Sequence, residues 1–307
     1  MADAFTTAVG TPTLGEYIAQ LYSQELIRYL YPNTVFGQIA NTDYQSMVKK
    51  YGDKVIMRLY PEGVFNDYVP GMDIDYDEPD PDTIEMEIDH GKYWAMFNDL
   101  VQMFQSDIDY PSKWAAHFGR KLQIEVDKDL LYNVYADVHA SNTGLTAGAI
   151  SGSVNLGVSG TPLAVTTSSI AELITNMALV LDEQNVPDED RWLVVPSWFI
   201  QKMKNSDLKA VWVTGDDKSP LRSGKAGDVD RFKIMRSNNL YYGASGGHTA
   251  FEIIFGHPLA LTFATQLAAT EQVTFQNKFG KAIRSLIVYG YKVVKSEAIG
   301  HAHVYAA

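Results

Sequence analysis

Two short stretches, KVIMRLY at residues 54–60 and TIEMEID at residues 83–89, decide the fold of this 307-residue chain. In each stretch, apolar side chains alternate with charged or polar ones, which is the pattern of a strand with one buried face. The 22 residues between them, 61–82, contain four prolines and eight acidic residues but no basic residue. A segment of this length is not an ordinary hairpin turn. The pattern therefore predicts a two-stranded projection that carries an acidic loop.

The longest helical pattern follows the second strand. Residues 112–140 carry an apolar stripe at i, i+4 spacing, and Pro111 precedes them. At about 1.5 Å per residue the helix would span roughly 43 Å, which is long for a compact domain. We therefore expect one long helix that supports the rest of the fold. Its stripe consists of Phe118, Leu122, Val126, Leu130, Val134 and Val138.

The composition changes sharply after this helix. Residues 141–171 carry no charge, and 16 of these 31 residues are Gly, Ser or Thr. Such a composition predicts a flexible or hairpin-forming connection rather than core. An α/β part and a strand-rich part follow, with helices predicted at 168–181 and 197–203 and strands at 192–195, 231–235, 251–255, 286–289 and 291–294.

The first forty or so residues read as an arm with one helix. Thr13 and Glu16 have the spacing of a capping box, and the helix they predict runs from Leu14 to Tyr31. Two interpretations stay open, because this helix could pack on its own domain or dock on a neighbouring subunit. Residues 1–17 have neither the basic nor the apolar region of a secretion signal.

Composition excludes several classes of function. The chain is 46% hydrophobic and 20% charged, with a net charge of −12, which is typical of a folded globular protein. It has no cysteine, so disulfides, thiolate nucleophiles and cysteine metal sites are ruled out. The net negative charge argues against a protein whose main function is to bind phosphate groups. The apolar run at 253–270 contains a proline, three threonines and a glutamine, so it is a poor membrane span.

Short catalytic motifs are present, but none has its required context. The G-x-S-x-G match at 243–247 leads into a predicted strand, whereas a nucleophile elbow needs a helix after it. We assign no catalytic, cofactor-binding or metal-binding residue and expect no enzyme. The other rejected candidates are S-x-x-K at 206–209, GK at 224–225, the acidic run at 73–77, and the pair His301 and His303.

Four aromatic residues near the second strand form a further pattern. Tyr93, Trp94, Phe97 and Phe104 could serve as a stacking platform for bases, but an apolar core is the more common use of such side chains. We therefore expect them to be core.

The order of these parts resembles the major capsid protein of tailed bacteriophages, which has the Hong Kong 97-type capsid fold. Gly52–Val55 is similar to the start of that family's extended loop, and Gly119–Leu131 to its long "spine" helix. Trp192–Pro196 and Phe232–Leu240 resemble strands of its axial domain, and residues 264–294 the closing strands of its peripheral domain. The resemblance covers nearly the whole chain, and the order and spacing of the parts carry it.

The resemblance implies an α+β fold of five parts. These are an N-terminal arm at 1–48, an extended two-stranded loop at 49–92, a peripheral domain with the spine helix (112–140) at 93–165, an axial domain at 166–254, and return strands of the peripheral domain at 255–307.

The resemblance also implies a function and a set of partners. The chain would assemble with copies of itself, as hexamers and pentamers, into an icosahedral shell around double-stranded DNA, without sequence-specific DNA binding. A separate scaffolding protein is expected, because the arm before Lys54 is too short for a fused scaffold. A portal and cement proteins are further expected partners. The virion is the expected location, with assembly in the host bacterial cytoplasm, and no cofactor or membrane is implied.

Two alternatives remain from the sequence alone. One is a cytosolic α/β enzyme in which the acidic loop acts as a lid over an unrecognised site. The other is a subunit of a filament or tail tube, which would form tubes without closed shells.

Overall fold

A computed structural model of the chain describes residues 34–44, 54–59, 65–67, 70–73, 76, 83–105, 110–206, 228–275 and 277–307. Both helices and sheets are present, as the α+β prediction requires. The helix predicted at Leu14–Tyr31 lies outside the described residues. No helix in the part of the chain that the structure describes is long and apolar enough to cross a membrane.

The helices are α1 (Phe36–Ile39), α2 (Leu100–Gln105), α3 (Tyr110–Asn133), α4 (Ile170–Glu183) and α5 (Ser197–Asn205). The strands are β1 (Lys54–Arg58), β2 (Thr83–Glu87), β3 (His90–Asp99), β4 (Leu163–Val165), β5 (Arg191–Val195), β6 (Asp228–Val229), β7 (Phe232–Arg236), β8 (Tyr242–Ser245), β9 (His248–Gly256), β10 (Leu261–Thr274), β11 (Gly280–Val293) and β12 (Ile299–Ala306).

The base of the predicted projection is confirmed. Strands β1 and β2 pair antiparallel, with Met57 opposite Ile84 and Val55 opposite Met86. Met57 and Met86 are buried, while the alternating residues on the other face are exposed, as the period of two predicts. The buried methionines form a small separate core with Ile88 and Ala264.

This base rests on a three-stranded antiparallel sheet of order β10-β11-β3. The strands predicted at 286–289 and 291–294 form one continuous strand, β11. Gly290 of this strand lies directly under the end of β2, because a β-carbon at this position would overlap the carbonyl oxygen of Glu87. Glycine therefore permits the close approach of the projection to the sheet.

The long helix is shorter than predicted. Helix α3 has 24 residues and ends at Asn133, and a 3-10 turn covers Val134–Asp137. The side-chain amide of Asn133 donates to the carbonyl oxygen of Asp129 at 2.7 Å and to the hydroxyl of Tyr291 at 3.0 Å. A side chain that donates a hydrogen bond to this carbonyl oxygen competes with the backbone hydrogen bond of the helix. The centre of the stripe is nevertheless buried as expected, at Val126, Leu130 and Val134.

The larger part of the core surrounds a seven-stranded mixed sheet of order β4-β12-β9-β5-β7-β6, with β8 paired to β9. All five residues of β5 are buried, as are the inward residues of α4 and α5. A strand buried on both faces reads as a continuous apolar run, which explains the sequence WLVV at 192–195.

The prediction that residues 141–171 lie outside the core is wrong, whereas the hairpin-forming alternative for this stretch is confirmed. The uncharged stretch 141–171 is part of the core, because Ala147, Leu156 and Val165 are fully buried and β4 joins the sheet. Within residues 255–307, β12 pairs with β9 and β4 in this sheet, whereas β10 and β11 pair with each other in the three-stranded sheet. The small residues of the first stretch allow tight hydrogen-bonded turns, such as the bridge between Ala147 and Val154.

One buried carboxylate joins three separate parts of the chain. Oδ1 of Asp127, on α3, accepts from the backbone N–H groups of Val35 at 2.8 Å and Phe36 at 2.9 Å, at the start of α1. Oδ2 accepts from the side-chain amide of Asn239 at 2.7 Å, in the segment after β7. Burial raises the pKa of Asp127, although all three hydrogen bonds favour its ionised form.

The burial of α3 generates a test of its orientation. Replacing Leu130, which is fully buried, by alanine should reduce the free energy of unfolding by about 2–5 kcal/mol. The matched control is Lys128→Ala on the same helix, where the side chain is 41% exposed and the expected loss is under about 0.5 kcal/mol. Urea unfolding of the two variants measures both values. Equal losses at the two positions would mean that the helix presents a different face to the core.

Candidate assembly surfaces

The acidic loop exposes its apolar side chains. Among the loop residues that the structure describes, Phe65 is 99% exposed and Tyr76 is 90% exposed. At the base of the loop, the ammonium group of Lys54 lies 3.3 Å from the carboxylate of Glu85 and 2.6 Å from that of Glu87. Large aromatic side chains that are this exposed to solvent indicate a surface that contacts another protein.

A second exposed apolar surface lies at one end of the three-stranded sheet, where β3 ends and β11 begins. We name it the apolar tip, and it consists of Phe97, Leu100, Val101, Phe104, Phe275 and Phe279. Phe104 is 92% exposed and Phe279 is 84% exposed. The rings of Phe97 and Phe275 meet edge to face at 5.5 Å, and the backbone N–H of Leu100 donates to the carbonyl oxygen of Phe279 at 3.2 Å. Contiguous apolar surface of this kind is typical of a protein–protein contact.

The prediction that the aromatic residues near β3 are all core is wrong. Trp94 faces α3 and stacks on Phe118, with 4.9 Å between the ring centroids. Tyr93 is 78% exposed, and Phe97 and Phe104 belong to the apolar tip. The reason is the period of two in β3, because Tyr93 and Phe97 point away from the face that carries Trp94.

The G-x-S-x-G stretch is a hairpin turn, as its rejection as a nucleophile elbow implied. Gly246 and Gly247 have φ values of 57° and 81°, and they connect β8 directly to β9. Two residues with positive φ are what a type I′ hairpin requires. The hydroxyl of Ser245 is buried and accepts from the backbone N–H of Gly160 at 2.8 Å, so it holds two loops together.

The remaining rejected motifs fall largely outside the described residues. Lys209 of the S-x-x-K match and both residues of the GK match at 224–225 are not described. The acidic run at 73–77 is described only at Asp73 and Tyr76. Ser206 is buried and donates to the carbonyl oxygen of Met203 at 2.7 Å, so its hydroxyl ends helix α5.

The pair His301 and His303 surrounds a buried carboxylate. Glu252, on β9, accepts from Nδ1 of His303 at 2.5 Å and from Nδ1 of His301 at 3.0 Å, both on β12. Nε2 of His301 lies 2.8 Å from the hydroxyl of Thr143. In sequence, Glu252 is marked only by being a carboxylate within the apolar run FEIIF, which does not reveal its partners.

These three side chains link β9 to β12. In the described ranges, no group of three or more His, Cys, Asp or Glu residues could hold a metal ion. Burial opposes ionisation of Glu252, but the hydrogen bonds and charges of His301 and His303 outweigh it and lower the pKa of this carboxyl. The cluster therefore ties β9, β12 and the loop at Thr143 together in the ionised state.

The lowered pKa of Glu252 predicts the direction in which the stability of the protein changes with pH. A depressed carboxyl pKa contributes stability above the ordinary glutamate value of about 4.3, and this contribution is lost as the pH falls through the folded-state value. Glu252→Gln should therefore cost about 1–3 kcal/mol at pH 7 and much less at pH 3. Urea unfolding of both proteins across this range measures the difference.

The control is Glu271→Gln, because the Glu271 carboxylate pairs with Arg284 at 2.7 Å on the surface. This change should alter stability by less than about 0.5 kcal/mol at any pH in the range. A difference between wild type and the Glu252 variant that stays constant down to pH 3 would contradict the assignment.

Comparison with known proteins gives a likeness in structure without one in sequence. No family model and no curated protein sequence matches this chain. A solved structure from Mycobacterium phage Che8 superposes with a TM-score of 0.74 at 23% identity, over 93% of this chain and 96% of that one.

Two further structures are those of capsids. A chain of the capsid of cyanophage P-SCSP1u has a TM-score of 0.74 at 14% identity, over 99% of this chain and 97% of that one. A chain of the capsid of the native GTA particle has a TM-score of 0.66 at 16% identity, over 99% and 100%. This chain therefore has the fold of the subunits that build these phage and GTA capsids.

Proposed function

We propose that the protein is a major capsid protein that assembles with its own copies into the icosahedral shell of a tailed bacteriophage. The observation that carries the proposal is the end-to-end structural likeness to capsid subunits, which covers more than nine-tenths of both chains in each of the three comparisons. A likeness that omits neither end supports a role for the whole chain, including its projection.

The surface chemistry supports the same role. The acidic loop exposes Phe65 and Tyr76, and the apolar tip exposes six further large side chains. An isolated monomer gains nothing from ordering such a projection, because the conformational entropy that ordering costs is not offset by burial. In a shell, neighbouring copies bury both surfaces.

The finer details of the proposal follow the family that the sequence resembles. We assign the chain to the Hong Kong 97-type fold, with the three-stranded sheet and α3 in the peripheral domain and most of the seven-stranded sheet in the axial domain. Hexamers and pentamers are the proposed capsomers. We also propose that the finished protein resides in the virion after assembly in the host cytoplasm.

Partners outside the shell are proposed on chemical grounds. The net charge of −12 suits a container for DNA, because a wall that gripped phosphates strongly would impede packaging and release. A portal and cement proteins are further proposed partners.

The enzyme alternative has no support. Its strongest motif, the G-x-S-x-G stretch, is a hairpin turn with a buried serine. The acidic loop would be a lid only if a site lay under it, and its base instead packs on the three-stranded sheet through Ile88 and Ala264.

Deletion of the acidic loop tests the role of the projection. Removing residues 63–80 should leave a folded chain, because every described side chain in that range is exposed. The variant should fail to form shells, because a contact between neighbouring copies is lost. Circular dichroism checks the fold, and negative-stain microscopy with size-exclusion chromatography checks assembly.

The control replaces residues 63–80 with a Gly-Ser linker of the same length, which keeps the reach of the loop and removes its chemistry. We expect this variant to fold and to fail in assembly as well. Normal particles from the deletion variant would refute the proposed contact.

Co-expression tests how the curvature of the shell is set. We expect the chain expressed alone to give aberrant or open particles, and a scaffolding protein encoded by the same phage to convert them into uniform ones. Electron microscopy of the two preparations measures the distribution of diameters. Uniform closed shells from the chain alone would show that no separate scaffold is needed.

A further inference from the structure

A cavity of about 330 Å³ lies beside the buried carboxylate of Glu252, on one face of the seven-stranded sheet. It is also lined by His301 and His303, by the 3-10 turn that follows α3, and by two short segments at 143–144 and 157–159. We name it the histidine cavity. Its volume lies at the lower end of the range that small-molecule sites occupy.

Backbone contacts fix one wall of the histidine cavity. The carbonyl oxygen of Leu156 accepts from the backbone N–H of His303 at 2.8 Å. A β-carbon at Gly157, where φ is 79°, would overlap the carbonyl oxygen of His303, so this loop lies directly on β12. Two lining residues, Ala136 and Ser159, are exposed, so the cavity is open to solvent.

The hydrogen bonds to Glu252 determine which ring nitrogen of each histidine carries the proton. An ionised carboxylate only accepts hydrogen bonds, so Nδ1 of His301 and Nδ1 of His303 both donate to Glu252. In a neutral imidazole the other nitrogen, Nε2, then has only a lone pair. Nε2 of His301 uses its lone pair to accept from the hydroxyl of Thr143 at 2.8 Å.

Nε2 of His303 has no such donor. This residue is 5% exposed, and its Nε2 atom is buried without a hydrogen-bond partner in the described part of the chain. The other buried side-chain nitrogens without a partner there belong to Trp94, Trp192 and Trp198, and an indole N–H is a donor. His303 therefore supplies the one unpaired acceptor among them. Buried acceptors of this kind are normally paired with a donor.

The charge of the lining selects the kind of donor. Among the described residues that line the histidine cavity, Glu252 carries a negative charge, and none is a lysine or an arginine. The hydroxyl oxygens of Tyr135 and Ser159 are further acceptors, and Val138 and Val158 provide apolar surface. The ring of Tyr135 can also receive a cation on its face. A small cation with N–H donors and a short apolar body matches all of these groups.

We propose that the histidine cavity binds a primary alkylammonium ion, which donates one N–H to Nε2 of His303 and packs its alkyl chain against Val138 and Val158. An ammonium group has three donors, so it also serves the hydroxyl of Ser159 while its charge faces Glu252. A single metal ion would leave most of the 330 Å³ unfilled, and the described residues offer no set of three ligands for one.

Equilibrium dialysis of the full-length chain against butane-1,4-diammonium tests the site. Val158→Phe should fill the cavity and weaken binding at least about tenfold. The matched control is Ile150→Phe in the same connection, because Ile150 is 82% exposed and does not line the cavity. This variant should bind the diamine as the natural chain does.

The design separates a specific site from general attraction. The natural chain and both variants have the same net charge of −12, so non-specific uptake of the amine by an acidic protein is equal in all three. Circular dichroism checks that both variants fold. Equal binding by the two variants would show general attraction only and would overturn the proposal.

Nitrogen NMR of the chain labelled with ¹⁵N-histidine provides a second measurement that needs no cavity variant. Butylammonium should shift the Nε2 resonance of His303 and leave that of His248 unchanged, because His248 stacks on Tyr305 and does not line the cavity. Butan-1-ol has the same chain without the charge, and an equal shift from it would contradict the proposed cation. If Zn²⁺ shifts the Nε2 resonances of His301 and His303 and butylammonium shifts neither, the cavity holds a metal ion and the proposal is wrong.

Two sources offer the same ligand chemistry, a free diamine and the lysine side chain of a partner protein. Dialysis with butane-1,4-diammonium and with Nα-acetyl-lysine methylamide distinguishes them. Tighter binding of the diamine supports a free amine as the ligand, and tighter binding of the lysine derivative supports a lysine of a partner. Binding of neither compound overturns the proposal.

Discussion

The buried carboxylate of Asp127 is the interaction on which the arrangement of the molecule depends. It accepts from the backbone N–H groups of Val35 and Phe36, at the start of α1, and from the side-chain amide of Asn239, in the segment after β7. A buried charge is costly unless hydrogen bonds surround it, so the carboxylate is stable only when all three segments are in place. The carboxylate thereby holds α3 against the start of α1 and against the segment after β7.

The sequence predicted the elements whose burial is periodic. The alternation in residues 54–58 and 83–87 identified β1 and β2, and the stripe through Leu130 and Val134 identified the buried face of α3. The sequence could not predict which segments, far apart along the chain, contact each other in the fold. Nothing local marks β12 as a neighbour of β4, or Glu252 as the partner of two histidines, because these contacts join residues about 50 to 140 positions apart. The stretch 141–171 forms tight turns, as its small residues allow, but its composition does not reveal that Leu156 is buried in the core.

The described surface is organised for contact rather than for chemistry. The most exposed of its phenylalanine side chains, Phe65, Phe104 and Phe279, lie on the projection and on the apolar tip. The titratable clusters with distinct partners, at Asp127 and at Glu252, are buried and tie strands and loops together. The chain keeps the fold of capsid subunits at 14–23% identity, because a core tolerates many substitutions that preserve its apolar pattern and total volume.

The position of β12 in the large sheet determines when, during translation, this sheet can be completed. This strand lies between the edge strand β4 and β9, so β4 cannot join the rest of the sheet until residues 299–306 have left the ribosome. A nascent chain that has already made the projection and the apolar tip still lacks the strand that completes its larger core. Contacts this distant in sequence form late during folding. Translation itself therefore delays completion of the larger core, and chains that end before β12 expose two unpaired strand edges, which favour aggregation.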